Sequence, residues 1–381
     1  MNKIFEKGGK LHFLHSTVDA FETFLKVPGT VTLKGAHVRD SIDLKRIMII
    51  AVISVIPAAL FGMWNVGYQH ALAVQGPGAP IDILGNFWFG FLKVLPLYVI
   101  AYGVGLAIEF ASSQIRGEEV NEGYLMSGML IPLIVPVDVP LWMLAVAVAF
   151  AVLFGKEVFG GTGMNIWNPA LLTRAFLFFS YPDHMSGSGS WIALRKGEAL
   201  LDGATGATPL SFAADGMDAL TGAGAQYGTS FWDLFIGTVP GSVGETSVIA
   251  ILLGAILLLW TGVASWKIMV STVAGALLVG WLGNVCGATD IPAYTQLVLG
   301  GFAFGAVFMA TDPVTSAQTE PGKRIYGFLV GAICVVVRLF NPGYAEGMML
   351  AILLGNTFAP LIDWVVVNRH TARKARKLRT A

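Results

Sequence analysis

Apolar runs dominate this chain and recur at lengths that a membrane sets. Ten hydrophobic segments stand out, at roughly 47–67, 87–112, 122–136, 140–158 and 165–180, then 246–262, 267–285, 294–310, 325–340 and 347–367. Several approach the ~20 apolar residues that a helix needs to cross a bilayer. The pattern predicts an all-α integral membrane protein of about ten transmembrane helices. Between the two groups of five, the chain turns polar and rich in Gly and Ala. It therefore divides into an N-terminal segment 1–45, a first membrane repeat 46–180, a polar loop 181–245, a second repeat 246–367 and a basic tail 368–381. Segments 122–136 and 165–180 are short for a full crossing and contain or abut prolines and glycines. Short or interrupted segments at matching places in two halves point to a site near the midplane.

Lys and Arg set the orientation, because cytoplasmic ends retain them. With ten crossings both termini share a side. Eight basic residues lie in 1–46, six in the tail after 368, and Arg116, Lys156, Lys267, Lys323 and Arg324 fall on that same side. The opposite loops hold only Arg195 and Lys196. Both termini are thus expected in the cytoplasm and 181–245 outside. Five segments per half is an odd number, so two similar halves must be inverted relative to each other. Asn168-Pro169 and Asn341-Pro342 each follow the fourth segment of a half, the first inside and the second outside by this topology, as an inverted repeat requires, although Asn-Pro is also a common helix-entry dipeptide. Residues 11–27 place Leu14, Val18, Phe21 and Leu25 on one face of a helix ended by Pro28-Gly29. That face suits either the membrane surface, a partner protein or plain packing.

Composition narrows the function classes. The chain is 55% hydrophobic and 13% charged, with zero net charge and mean hydropathy +0.69, far from the ~25% charged residues of a soluble domain. Nucleic acid is not implied, because the basic residues flank membrane segments instead of forming a stripe with aromatics. The polar, charged first ~45 residues do not read as a cleavable signal peptide. Two cysteines, Cys286 and Cys334, cannot hold an iron–sulfur cluster alone, and none of the six histidines lies inside an apolar run to ligate haem. No metal centre is expected. No glycine-rich nucleotide fingerprint or phosphate loop is present, so any NADH chemistry belongs to a partner.

Ionisable groups within spans are expensive and usually face an internal polar path or snorkel to the interface. Glu109 and Asp363 lie near cytoplasmic ends of their segments and admit both readings; removing either charge is expected to damage folding little. Arg174 sits mid-segment, after Asn165 and Asn168, in a short helix expected to begin at the glycine turn Gly160-Gly-Thr-Gly163. Such a start offers free N–H groups to an anion or carbonyl-rich ligand, or to neighbouring carbonyls. In the loop, Asp202-Gly-Ala-Thr-Gly-Ala-Thr208 sets two threonines among small residues, with Pro209 after them. This is either a solvated connection or an accessible acceptor for covalent modification.

With His37-Val-Arg-Asp-Ser-Ile-Asp-Leu-Lys-Arg46, Glu119-Val-Asn-Glu-Gly123, Lys156-Glu-Val-Phe-Gly-Gly-Thr-Gly163, Met309-Ala-Thr-Asp-Pro313 and Glu346-Gly-Met-Met-Leu-Ala351, that loop motif makes the chain resemble a known family over nearly its whole length. The family is the B subunit of the Na+-translocating NADH:quinone oxidoreductase. Its sister, the D subunit of the Rnf-type ferredoxin:NAD oxidoreductase, is less similar, since the long basic N-terminal extension fits the quinone reductase. The resemblance implies FMN joined through its phosphate to the last threonine of Thr205-Gly206-Ala207-Thr208, attached outside the cytoplasmic membrane by a separate flavin transferase. Asp202 is then expected to orient the loop or help the transferase bind. It also implies a non-covalent riboflavin, a ubiquinone or menaquinone site, electrons arriving from the FMN-carrying C subunit, and Na+ export across the bacterial inner membrane. Position 205 is Thr where the family often has Ser, and the Ser186–Ser190 stretch is shortened. Asn165, Asn168 and Arg174 become candidates for hydrogen bonding a flavin ring, and Glu109 and Asp363 for quinone protons or cation handling. A solute channel or secondary transporter with inverted repeats shares the architecture and would carry no flavin.

Overall fold

In a computed structural model of the chain, the described residues are 34–35, 44–76, 81–116, 123–185, 191–195, 198, 200–201, 205–222, 230–344 and 346–380. The expected helix at 11–27, Asp202 and the Ser186–Ser190 stretch lie outside them. The first half contributes α1 (Leu44–Gln75), α2 (Ile83–Arg116), α3 (Tyr124–Ile134), α4 (Leu141–Gly155) and α5 (Pro169–Ser180). The second contributes α6 (Val248–Thr261), α7 (Trp266–Val285), α8 (Phe302–Phe304), α9 (Glu320–Phe340) and α10 (Met348–Thr380). No strand occurs among the described residues. Five helices, α1, α2, α4 with the turn that follows it, α7 and α10, are long and apolar enough to cross a membrane. The chain is a membrane protein.

The shorter elements have local causes. With 11 residues, α3 spans about 17 Å, roughly half the apolar thickness, and ends where Pro136 holds Val135 extended. The chain entering α6 meets it there, where the Gly244 N–H donates to the Leu133 carbonyl at 2.8 Å. The expected segment 294–310 is not a continuous helix. A 3-10 turn at Thr295–Leu297, the single turn α8 and a π-helical turn at Gly305–Met309 replace it. Apolar composition suggested one span, but Gly300, Gly301 and Gly305 break the run, and Gly300 has φ +56°. At α9, Glu320, Lys323 and Arg324 make the first turns polar.

One apolar core joins the halves, running from Val55 and Leu97 through Leu133 and Ile251 to Phe304, Tyr326 and Ile352. α1 packs on α2, α3 and α6; α4 packs on α2 and α5; α9 packs on α7 and α10; α5 touches α10. The α7–α9 contact is very close. A Cβ at Gly331 would lie 1.9 Å from the Thr272 carbonyl oxygen, so only glycine allows this approach. The loop 181–245 is more than an open connection. Short helices at Pro182–Met185, Pro209–Ala214, Met217–Thr221 and Phe231–Ile236 fold over the bundle, and Leu210, Leu220 and Leu234 bury against Val248, Ile291 and Leu299.

Candidate functional site

The breaks in α3 and α8, and the short helices beside them, leave two cavities that share no lining residue. The first lies at the starts of α1, α3 and α5 and spans about 760 Å³ counting its open mouth. Lys156, Asn165, Asn168, Thr311 and Asp312 supply its polar wall, and Phe308 and Leu130 its apolar one. Lys156 is 3% exposed and ion-paired with Glu109, whose other carboxylate oxygen is buried without a partner. Beside this pair, Ser112 Oγ donates to Glu157 Oε2 at 2.6 Å and Arg116 also engages Glu157. Removing Glu109 therefore strands a buried cation, which overturns the expectation of modest folding damage.

Asn165 and Asn168 are partly committed to the protein itself. Asn165 Nδ2 donates to the Trp167 carbonyl at 3.0 Å. Asn168 accepts from the Ala170 N–H at 2.9 Å as the N-cap of α5, and its Nδ2 donates to Asp312 Oδ2 at 3.1 Å. The helix does not start at the glycine turn, as the sequence suggested. Gly160, Gly161 and Gly163 all have positive φ and form a separate turn, after which Asn168 and Pro169 begin α5 and satisfy its first N–H groups. Asp312 further accepts from Thr315 Oγ1 and the Val314 N–H, both at 3.1 Å.

The second cavity opens over about 470 Å³ counting its mouth and is built around Arg174. Arg174 Nη1 lies 2.5 Å from Glu245 Oε1 and Nη2 lies 3.8 Å from Glu346 Oε2, so one cation serves two carboxylates. Ser242 Oγ donates to Glu245 Oε2 at 2.5 Å and the Gly301 N–H donates to Glu346 Oε1 at 3.2 Å. The hydroxyls of Thr246 and Tyr344 are buried with no partner, and Thr246 lines this cavity. Arg338 holds the chain around it, donating to the carbonyls of Gln296, Leu299 and Glu346. Thr208 stands in the same wall, together with Trp191. Its Oγ1 accepts from the Ser211 N–H at 3.3 Å as the N-cap of Pro209–Ala214, while Thr205 Oγ1 accepts from the Ala207 N–H at 3.2 Å. Gly206 is buried and Ala207 half-buried between them.

The residues singled out from sequence thus do not form one site. Arg174 joins Thr208 in the second cavity, whereas Asn165 and Asn168 line the first. Asp363 lies in neither: it accepts from the Gln318 N–H at 2.7 Å and from the Thr319 N–H and Oγ1 at 3.0 and 2.5 Å, holding the start of α9. Sequence reasoning does not single out Lys156, Glu245, Asp312 or Glu346 as site residues. Three of them lie inside the motif segments that carry the family resemblance; Glu245 is signalled only by being an acid at the edge of an apolar run.

Comparison with known proteins shows the family of the chain. The chain is 44% identical to the B subunit of the Na+-translocating NADH-quinone reductase of Chromohalobacter salexigens, covering 98% of this chain and 94% of that protein. The proteins of the same description from Ectopseudomonas mendocina and Azotobacter vinelandii are 44% and 43% identical, each over 97% of this chain and 96% of theirs. The pattern shared by the NQR2, RnfD, RnfE family matches residues 31–372, and the chain belongs to that family.

Proposed function

We propose that this chain is the membrane-embedded B subunit of a Na+-translocating NADH-quinone reductase, with FMN joined by a phosphoester to Thr208. The observation that carries the reading is the place of Thr208 in the wall of a cavity built on Arg174. The residues there fit the group. An acceptor hydroxyl stands half-buried at the wall, a guanidinium lies inside, and the buried Thr246 hydroxyl lacks a partner. Bound flavin supplies one- and two-electron transfer, while the protein supplies position and electrostatics. Arg174 brings a guanidinium with N–H donors into the cavity wall, and Glu245 and Glu346 fix its orientation. Thr208 fixes the tether, and the Gly206 and Ala207 positions leave room beside it.

The first cavity is the proposed place for riboflavin, with Asn165 and Asn168 offering amide groups and Phe308 an aromatic wall. Glu109, held by Lys156, is the proposed acid for quinone or cation chemistry next to it. Asp363 keeps a proposed role in Na+ handling. Electrons would enter from the FMN-carrying C subunit, and a flavin transferase would load Thr208 outside the inner membrane, with both termini in the cytoplasm.

Ten membrane segments in two inverted five-helix repeats are supported by the packing. α1 meets α6 and α5 meets α10, as elements related to each other by a twofold axis in the membrane plane can. The α2–α4 and α4–α5 contacts have counterparts in α7–α9 and α9–α10. The two cavities follow the same relation, one at the starts of α1 and α5, the other at the starts of α6 and α10.

The test is the intact mass of the isolated chain, together with the fluorescence of the denatured band. One added FMN less one water, located on the 205–208 peptide, supports the proposal. A chain of unmodified mass with no bound yellow chromophore refutes it and leaves a channel or transporter of similar architecture. An Rnf-type role is separated by whether the complex reduces quinone with NADH or exchanges electrons with ferredoxin.

A further inference from the structure

Along the outside of α7 and α9 runs a groove of about 860 Å³, counting its open side, away from both cavities. Gly275, Gly327 and Gly331 bring the two helix backbones together, so the floor is shallow and is made by Ser271 and Ala274. Trp266, Val270, Phe328 and Leu329 form apolar walls that are between 37% and 58% exposed. The Ser271 hydroxyl is turned back onto its own helix, donating to the Lys267 carbonyl at 2.6 Å, so charge enters only at the end of the groove. There the first turns of α7 and α9 stand side by side. Lys267, Lys323 and Arg324 gather around one carboxylate, Glu320, which pairs with both lysines. Arg324 is exposed and has no carboxylate partner among the described residues. The mouth therefore carries two positive charges in excess, beside a strip of apolar surface. Lys267 Nζ also lies 5.8 Å from the Trp266 ring centroid, an aromatic and basic pairing typical of the headgroup level.

We infer that the groove between α7 and α9 binds an anionic phospholipid, its phosphate held by Arg324 and Lys267 and one acyl chain lying over Ala274 between Val270 and Phe328. Charge complementarity decides the occupant. A zwitterionic lipid or an apolar helix would bury the groove but leave the two excess cations uncompensated. A basic residue near an anionic lipid surface contributes roughly fivefold in affinity, so the excess charge gives about a 25-fold preference for anionic over zwitterionic lipid. This inference needs only a membrane and does not rest on the flavin reading.

The experiment uses the purified, delipidated complex, with phosphatidylglycerol and phosphatidylcholine of identical chains added in turn. Lipid retention is counted by native mass spectrometry, and a photo-crosslinking residue at Val270 reports what lies in the groove. Phosphatidylglycerol is expected to be retained and crosslinked, at about 25-fold lower concentration than phosphatidylcholine. Lys267→Gln with Arg324→Gln should erase that preference. Ala274 is exposed, so Ala274→Phe fills the groove without entering the core and should abolish the crosslink while leaving the basic residues in place. Glu320→Gln, which removes the competing carboxylate, should strengthen phosphatidylglycerol retention severalfold. Equal retention of the two lipids, or a Val270 crosslink to another protein instead of lipid, overturns the inference.

Discussion

Replacing Arg174 by glutamine leaves the buried Glu245 and the partly buried Glu346 without their shared cation. Arg174 and Glu245 are 6% and 8% exposed, so water cannot substitute for the lost charge. Removing one partner of a buried ion pair costs about 3–5 kcal/mol, since the remaining charge keeps its desolvation penalty. Here Ser242 and the Gly301 N–H still donate to the two carboxylates, which places the expected loss near ~3 kcal/mol. Glu245→Gln added to Arg174→Gln removes one of the two stranded charges and should recover at least half of that loss. The chain carries its own probe. Cys334 is fully buried, with Sγ 3.9 Å from the Glu346 carbonyl, whereas Cys286 is exposed. In a Cys286→Ser background, a fluorogenic maleimide therefore reports when this region opens on heating. Arg174→Gln should unfold several degrees earlier than its parent, and the double variant should lie between them. If Arg174→Gln unfolds at the parental temperature, the arginine does not balance the two carboxylates and the electrostatic account of the cavity is wrong.

The other predictions concern topology and the two acids. A reporter active only outside the cytoplasm should be active within 181–245 and silent at both termini, given nineteen basic residues assigned inside against two outside; activity at the C-terminus would exclude ten crossings. Glu109→Gln should destabilise the chain by stranding Lys156, and Glu109→Gln with Lys156→Met should restore folding; quinone reduction that returns with folding would reduce Glu109 to a structural partner. Asp363→Asn should weaken the Na+ dependence of turnover, whereas Thr319→Val, which removes one donor to Asp363 but keeps its charge, should not; equal shifts in both would leave Asp363 as a helix cap alone.

Helices are legible in the sequence where the physics is local. The runs at 47–67, 140–158 and 267–285 are helices because long, continuously apolar stretches leave the backbone no better way to bond itself in lipid, and they tolerate Pro57 and the isolated glycines of α7. The run at 294–310 fails the same reading because hydropathy averages over Gly300, Gly301 and Gly305, and it is backbone freedom that decides there. Arg174 stands out in the sequence as a buried charge, but its partners cannot be named from it: Glu245 is 71 positions away, on the far side of the loop. Grouping Arg174 with Asn165 and Asn168 rests on adjacency in sequence. Arg174 lies about 9 Å along the helix from Asn168 and on a different turn, enough to put the start of α5 in one cavity and its middle in another. Asp363 looks like a lone acid in an apolar helix for the same reason, since the 318–319 backbone that it holds lies about 45 positions earlier.

Thr205 and Thr208 present the sharpest choice, because both hydroxyls are available to chemistry and both also bond to the backbone. Thr205 Oγ1 accepts from the Ala207 N–H inside the turn, and Thr208 Oγ1 accepts from the Ser211 N–H at a helix start. Losing an N-cap costs about 1 kcal/mol, and this cap serves a helix of six residues, so Thr208→Ala should remain folded. Its chain is expected to lose the covalent FMN and the complex to lose quinone reduction, while NADH oxidation with artificial acceptors at the partner protein survives. Thr205→Ala, which disturbs the turn to a similar extent, should keep the flavin. The pair separates attachment from folding, because two losses of similar size in stability should have opposite effects on mass. Thr208→Ser retains a hydroxyl and the cap together, and a flavin on that variant would show that the position, not the methyl group, is what the transferase requires. Covalent FMN on Thr208→Ala would refute the assignment outright, whatever its activity.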